Sequence, residues 1–194
     1  MGDDVIDLSD PSIAMSHTRA RVVERVCCDL ERAALGAATD PKRLLWSFFA
    51  AKEAAYKVVA SSVTPPPAFA YRQFVVSPDL RSATYEDRVF ALQIEGDDRY
   101  LHAVAWTGRG AWLAGCGLVE AGTSPSDEAR RRLCAAVAPW LGCDRESLRI
   151  VRPPAPGSWD GFAPPMLLRE GRPSGVNVSL THDGRFAGFA AARP

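Results

Sequence analysis

Lysine is nearly absent from this 194-residue chain: arginine fills all but three of its 23 basic positions, and the exceptions, Lys42, Lys52 and Lys57, fall within one short stretch. A net charge is also missing, since 23 basic residues balance 23 acidic ones. That excludes long-range attraction to nucleic acid or an anionic membrane, so any anion site must be a local cluster. No apolar run is long enough to span a bilayer, and no signal peptide is expected before the first acidic residues. The five cysteines, Cys27, Cys28, Cys116, Cys134 and Cys143, are odd in number and show no CxxC spacing. Structural zinc and a disulfide framework are therefore not expected, and a reducing cytoplasm is. Small buried residues are the first reading of these cysteines, ahead of a nucleophile. Neither a P-loop nor a GxGxxG turn occurs, which argues against the common nucleotide cradles.

The remaining composition, 47% hydrophobic and 24% charged, is ordinary for a globular domain with a real core. Val5 to Leu8 reads as a short strand. Ser16 is placed to cap a helix running to about Cys28, and Asp29 a second one stopping at Gly36. Asp40-Pro41 is an N-cap followed by proline at the first helical position, and predicts a long helix that Thr64-Pro65-Pro66-Pro67 ends. From Phe69 to Val119 the pattern alternates. Strands are expected around Phe74–Val76, Val89–Ile94, Tyr100–Trp106 and Trp112–Ala114, as an antiparallel meander with the helix on one face. After Ala121-Gly122-Thr123, Ser124-Pro125 starts another helix that Gly142 stops. A strand at Leu148–Val151, a loop at Pro153–Pro165, and strands at Val176–Leu180 and Arg185–Ala192 follow. The fold class expected is α+β, dividing near residue 122 into two helix-plus-sheet halves, 1–120 and 124–194.

Three places carry chemistry. In Phe49-Ala50-Ala51-Lys52-Glu53-Ala54-Ala55-Tyr56-Lys57, Glu53 lies one turn before Lys57, the favourable order for a helical ion pair. On spacing alone a solvated surface pair comes first, although the flanking alanines leave room for a ligand to approach. A compact ammonium in so arginine-rich a chain suits phosphate. Gly2-Asp3-Asp4-Val5-Ile6-Asp7 offers three carboxylates to a hard cation. Strand alternation puts Asp3 and Asp7 on one face and Asp4 on the other, and the alternative is a solvated acidic terminus. In Ser179-Leu180-Thr181-His182-Asp183-Gly184 a hydroxyl, an imidazole and turn amides are placed to bind phosphate, or His182 to act as a base. His102, in an apolar strand, reads as structural.

Taken together, Gly-x-Asp near the start, Ala-Ala-Lys-Glu-Ala-x-x-Lys, and Val-Ser-Leu-Thr-His-Asp-Gly near the end resemble the 4′-phosphopantetheinyl transferase superfamily. Arg21-Val22-Val23-Glu24-Arg25-Val26, followed by Glu31, is similar to the arginine-bearing helix of its small holo-acyl-carrier-protein synthase type. The second half, with Gly171-Arg172-Pro173 and Thr181-His182, is more like the larger pseudo-dimeric type, in permuted order. The resemblance implies a pseudo-dimer that works as a monomer. It implies transfer of phosphopantetheine from coenzyme A to a carrier-protein serine, with release of 3′,5′-ADP. Mg²⁺ would be held by Asp4 and Glu53, phosphate charge offset by Lys57 and Lys52, and the nucleotide phosphates bound by Thr181 and His182. Arg21 and Arg25 would meet the nucleotide 3′-phosphate or an acidic carrier protein. Glu53 or a metal-bound water would take the serine proton. Two departures stand out: Thr181 replaces the usual serine, and Ile6 occupies the position of the larger type's second acid. A non-catalytic relative that binds coenzyme A or a carrier protein is the alternative.

Overall fold

Asp40 and Pro41 start the longest helix as their chemistry dictates. The Asp40 carboxylate accepts the Arg43 N–H at 2.9 Å, and α3 runs Pro41–Ala60. In this computed structural model residues 1–63, 66–155 and 161–193 are described; Thr64, Pro65 and the centre of the expected 153–165 loop lie outside them. Along α3, Leu45, Phe48, Lys52, Ala55 and Val59 recur at helical spacing and form one buried stripe. Two short helices precede it. The first, α1 (Ala20–Val26), starts later than the Ser16 cap predicts, because Ser16–Thr18 closes a 3₁₀ turn and no side chain caps Ala20. The second, α2 (Asp29–Gly36), is capped by a Cys28 N–H donating 2.8 Å to Glu31, and Asp29 is its first residue instead of its cap.

The strands form two five-stranded antiparallel sheets. One holds β1 (Gly2–Asp7), β2 (Val75–Val76), β3 (Ser82–Tyr85), β4 (Arg88–Gly96) and β5 (Tyr100–Trp106), in the order β1-β5-β4-β3-β2. The other holds β6 (Trp112–Leu118), β7 (Leu148–Val151), β8 (Met166–Arg169), β9 (Arg172–Asp183) and β10 (Phe186–Ala192), in the order β6-β10-β9-β8-β7. Each sheet thus places its first strand at one edge and winds a meander back to it, with its helices inserted after that first strand. These are the two similar halves, although no sequence repeat marks them. Trp112–Ala114 is corrected: β6 opens the second sheet, because both edges of β5 are already taken by β1 and β4. The sheets therefore divide the chain between Trp106 and Trp112, not near residue 122.

Helix α3 covers one face of the first sheet, around Phe48, Phe74, Phe90 and Leu101. The helix of the second half, α4 (Pro125–Leu141), covers the other sheet, around Leu133, Val137, Leu167 and Phe189. It begins where Ser124 accepts the Asp127 N–H and ends on Gly142 in the left-handed region, both as the sequence predicts. A small third core, Met1, Val104 and Ala190 with the contacting rings of Trp106 and Trp112, joins the halves. No helix among the described residues is long and apolar enough to cross a membrane.

Beside the open edge of β1, β9 runs in the same direction and meets it with side chains. The outward N–H groups of Asp3, Val5 and Asp7 donate to Ser179 Oγ (3.0 Å), Thr181 Oγ1 (3.1 Å) and Asp183 Oδ2 (2.8 Å). Three alternate residues of one half thus satisfy an edge strand of the other, which removes an edge open to mispairing. Burial alone would raise the Asp7 carboxyl, but hydrogen bonds from Arg185 and Ser9 hold it well below the usual range, and it pins the β9–β10 turn. On the other side of β1, Gly2 lies against α3: a Cβ there would fall 2.2 Å from Ala54 O and 2.8 Å from Lys57 Cβ. Gly2→Ala must displace β1 or α3, so a stability loss of about 1–3 kcal/mol is expected by urea denaturation. Wild-type stability would contradict this close approach.

Candidate functional site

Where β1 crosses α3, three of the residues singled out from sequence come together. Lys57 Nζ lies 3.0 Å from Asp4 Oδ1 and donates 2.6 Å to the Asp3 carbonyl. Glu53 stands one turn earlier on the same helix face, near enough to Asp4 for the two carboxylates to repel. Burial raises the Asp4 carboxyl first; Lys57 opposes the shift and Asp3 adds to it. Burial likewise raises Glu53, and the Asp4 charge raises it further. The Lys57 ammonium is held above its usual range because Asp4, Asp3 and Glu53 together outweigh its own desolvation. Side-chain exposure is 13% for Asp4 and 31% for Lys57, so the cluster is half-buried and open on one side.

No group of three His, Cys, Asp or Glu side chains able to hold a metal occurs among the described residues. What the site offers a cation is two mutually repelling carboxylates, Asp4 and Glu53. That fits Mg²⁺, a hard ion commonly held by one or two carboxylates with waters and substrate phosphates in its other positions.

Lys52 is not part of this cluster. Its side chain is 0% exposed, and its ammonium donates to Glu31 Oε2 at 2.6 Å and to the Val26 carbonyl at 2.7 Å. Adjacent helical residues point about 100° apart, so Lys52 enters the core while Glu53 faces the cluster. The reading of Lys52 as a phosphate ligand is therefore corrected: it ties α3 to α1 and α2. Glu31 also accepts the Val76 N–H at 2.8 Å, which adds β2 to the same knot.

Thr181 reaches the cluster from the second half, but its hydroxyl is already engaged. It donates to Asp4 Oδ1 at 3.2 Å while accepting from Val5. It therefore orients Asp4, and its expected role as a direct phosphate contact is corrected. Replacing it with valine leaves the Val5 N–H without an acceptor, and about 1–3 kcal/mol of stability should be lost. Thr181→Ser should stay near wild type in the same denaturation experiment. Equal stability of the valine variant would contradict the ladder.

His182 is exposed and, by alternation, projects from the opposite face of β9, so the structure does not bring it to Asp4. Arg25 lies 5.9 Å over the ring of Tyr71, whose hydroxyl donates 2.9 Å to Glu53 Oε1. Arg21, one turn earlier on α1, is exposed and makes no ion pair among the described residues.

Sequence reasoning missed Tyr71, which carries no local signal because its partner lies 18 residues away. It named Glu31 without its role as the acceptor of Cys28, Lys52 and Val76, although a capping-box spacing from Cys28 was there to be read. His102 is structural as expected, with a partner: its Nε2 lies 3.0 Å from the buried Asp3 Oδ2. The cysteines are all free. Burial pushes the Cys27 thiol up to about 11 and Cys116 up to about 12, values that leave neither as a thiolate nucleophile at neutral pH.

The family model described as the 4′-phosphopantetheinyl transferase superfamily matches residues 1–112, more than half of the chain. A comparison with curated proteins gives no match.

Proposed function

We propose, since the chain belongs to the 4′-phosphopantetheinyl transferase superfamily, that it moves phosphopantetheine from coenzyme A to a serine of an acyl or peptidyl carrier protein. The observation that carries this reading is the convergence of Asp4, Glu53 and Lys57 at the β1–α3 crossing. The bond that forms joins the serine oxygen to the β-phosphorus of coenzyme A. The bond that breaks, from that phosphorus to the oxygen bridging the two phosphates, releases 3′,5′-ADP, and the serine proton passes to Glu53 or to a water. Charge in such a transfer is spread over phosphate oxygens, so the protein's work is positioning and neutralisation.

Asp4 and Glu53 would hold Mg²⁺, which when bound supplies positive charge to the pyrophosphate. Lys57 adds a further cation at the open side of the cluster. Its bond to the Asp3 carbonyl fixes that ammonium close to the strand instead of leaving it on a free tether. Thr181 bonds to Asp4 from the other half, which supports a site built by both halves of one chain and a protein that works as a monomer. Arg25 is exposed and lies over the ring of Tyr71, the residue that bonds Glu53, and an acidic carrier protein or the nucleotide 3′-phosphate would meet it there.

The test is intact-mass analysis of a panel of apo carrier proteins after incubation with coenzyme A, Mg²⁺ and the monomer fraction from sedimentation. A gain of one phosphopantetheine on a carrier serine, abolished by EDTA, is the expected result. Coenzyme A bound without any mass gain would replace this reading by a non-catalytic binder.

A further inference from the structure

We infer that Tyr71 is the positioning residue of Glu53: its hydroxyl holds one carboxylate oxygen so that the other is presented, with its full negative charge, to a divalent cation. This rests on the reading of Asp4 and Glu53 as the metal pair. Glutamate has three rotatable side-chain bonds, so an unheld carboxylate on a half-exposed helix face samples many orientations. Lys57, the neighbour one turn on, does not restrain it, since its ammonium bonds to Asp4 and the Asp3 carbonyl and, among the described residues, not to Glu53. The Tyr71 hydroxyl, at 2.9 Å from Oε1, is the one hydrogen bond to the Glu53 carboxylate among the described residues.

The nature of the donor matters as much as its distance. A lysine or arginine in the same place would neutralise the carboxylate and compete with a cation. A phenol orients it and leaves its charge in place. Arg25 meets the face of the Tyr71 ring, and among the described residues it makes no ion pair with the Glu53 carboxylate.

The hydroxyl is itself held in position. The Tyr71 ring packs between Phe49 of α3, at 4.9 Å between centroids, and Phe69, at 4.4 Å. Phe69 in turn contacts Tyr56, whose hydroxyl donates 3.1 Å to the Pro67 carbonyl and ties that segment back to α3. Packing of the segment on α3 therefore needs the ring. The hydroxyl is a separate feature that serves Glu53, which is how an outer partner fixes a metal ligand.

Tyr71→Phe keeps the ring and deletes the donor. Mn²⁺ binding in the presence of coenzyme A, followed by the loss of the free-ion electron paramagnetic resonance signal, should weaken about tenfold or more in this variant, while its melting temperature stays near wild type. Phe69→Leu, which loosens the ring packing and keeps the hydroxyl, should lower the melting temperature and weaken Mn²⁺ binding less than Tyr71→Phe does. Wild-type Mn²⁺ affinity in Tyr71→Phe, or failure of that variant to fold, would overturn the inference and leave the metal pair standing. A wild-type protein that binds no Mn²⁺ would overturn the metal reading and this inference with it.

Discussion

Glu53→Ala should lower phosphopantetheine transfer by at least about 10²-fold, the scale seen when one preorganised electrostatic element is removed from a charge-stabilising site. The fold should survive. Glu53 is half-buried on the outer face of α3, its hydrogen-bond partner is the Tyr71 hydroxyl, and alanine is a better helix former. The loss should appear in the rate at saturating coenzyme A more than in KM, because neutralisation is needed most as charge redistributes in the transition state. Steady-state kinetics on a carrier found by intact mass, with circular dichroism of the variant, checks both parts. Retained activity in a folded variant would remove Glu53 from the site.

Lys52→Met should do the opposite, with a large effect on stability and a small one on chemistry. Lys52 and Glu31 are both 0% exposed. Removing the ammonium leaves a buried carboxylate without its counter-charge, a change that costs about 3–5 kcal/mol. In a chain of this size that lowers the melting temperature by roughly 6–20 °C. Adding Glu31→Gln removes the stranded charge and keeps an acceptor for a backbone N–H, so the double variant should recover part of the loss. At a temperature where Lys52→Met is folded, transfer should stay within a few-fold of wild type. A stable but inactive Lys52→Met protein would return Lys52 to the phosphate site.

The two lysines show where the sequence was legible and where it was not. Both sit in one motif, and spacing to Glu53 singles out Lys57 alone. Lys52 was separable too, because it shares the i, i+3, i+7 stripe of Leu45, Phe48, Ala55 and Val59, which the core requires. The motif directed attention to both alike and overrode that periodic signal. Local chemistry fixed the helix starts at Asp40-Pro41 and Ser124-Pro125 and the stop at Gly142, since cap and proline act within a few residues. At Ser16 the same rule failed: the hydroxyl is buried in a 3₁₀ turn, and the backbone starts α1 without a side-chain cap.

What could not be read was anything set by pairing between distant strands. The sheet to which β6 belongs depends on which edges of β5 are free, and β1 takes one from nearly a hundred residues away. The same holds for the ladder from Ser179, Thr181 and Asp183 to β1. The alternation of polar residues at those positions was visible, but their acceptors and donors across 176 residues were not. Alternation did place Asp3 and Asp4 on opposite faces, and the structure gives the consequence: Asp3 turns inward to His102 between the sheets, and Asp4 faces Lys57.

The central claim is that cation and pyrophosphate meet at the β1–α3 crossing, on carboxylates from Asp4 and Glu53. The most direct measurement is the anomalous difference map of a crystal grown with Mn²⁺ and coenzyme A. A single strong peak within bonding reach of both carboxylates, with the pyrophosphate beside Lys57, is the predicted result. A peak elsewhere, or coenzyme A bound with its pyrophosphate far from Lys57, would contradict the account.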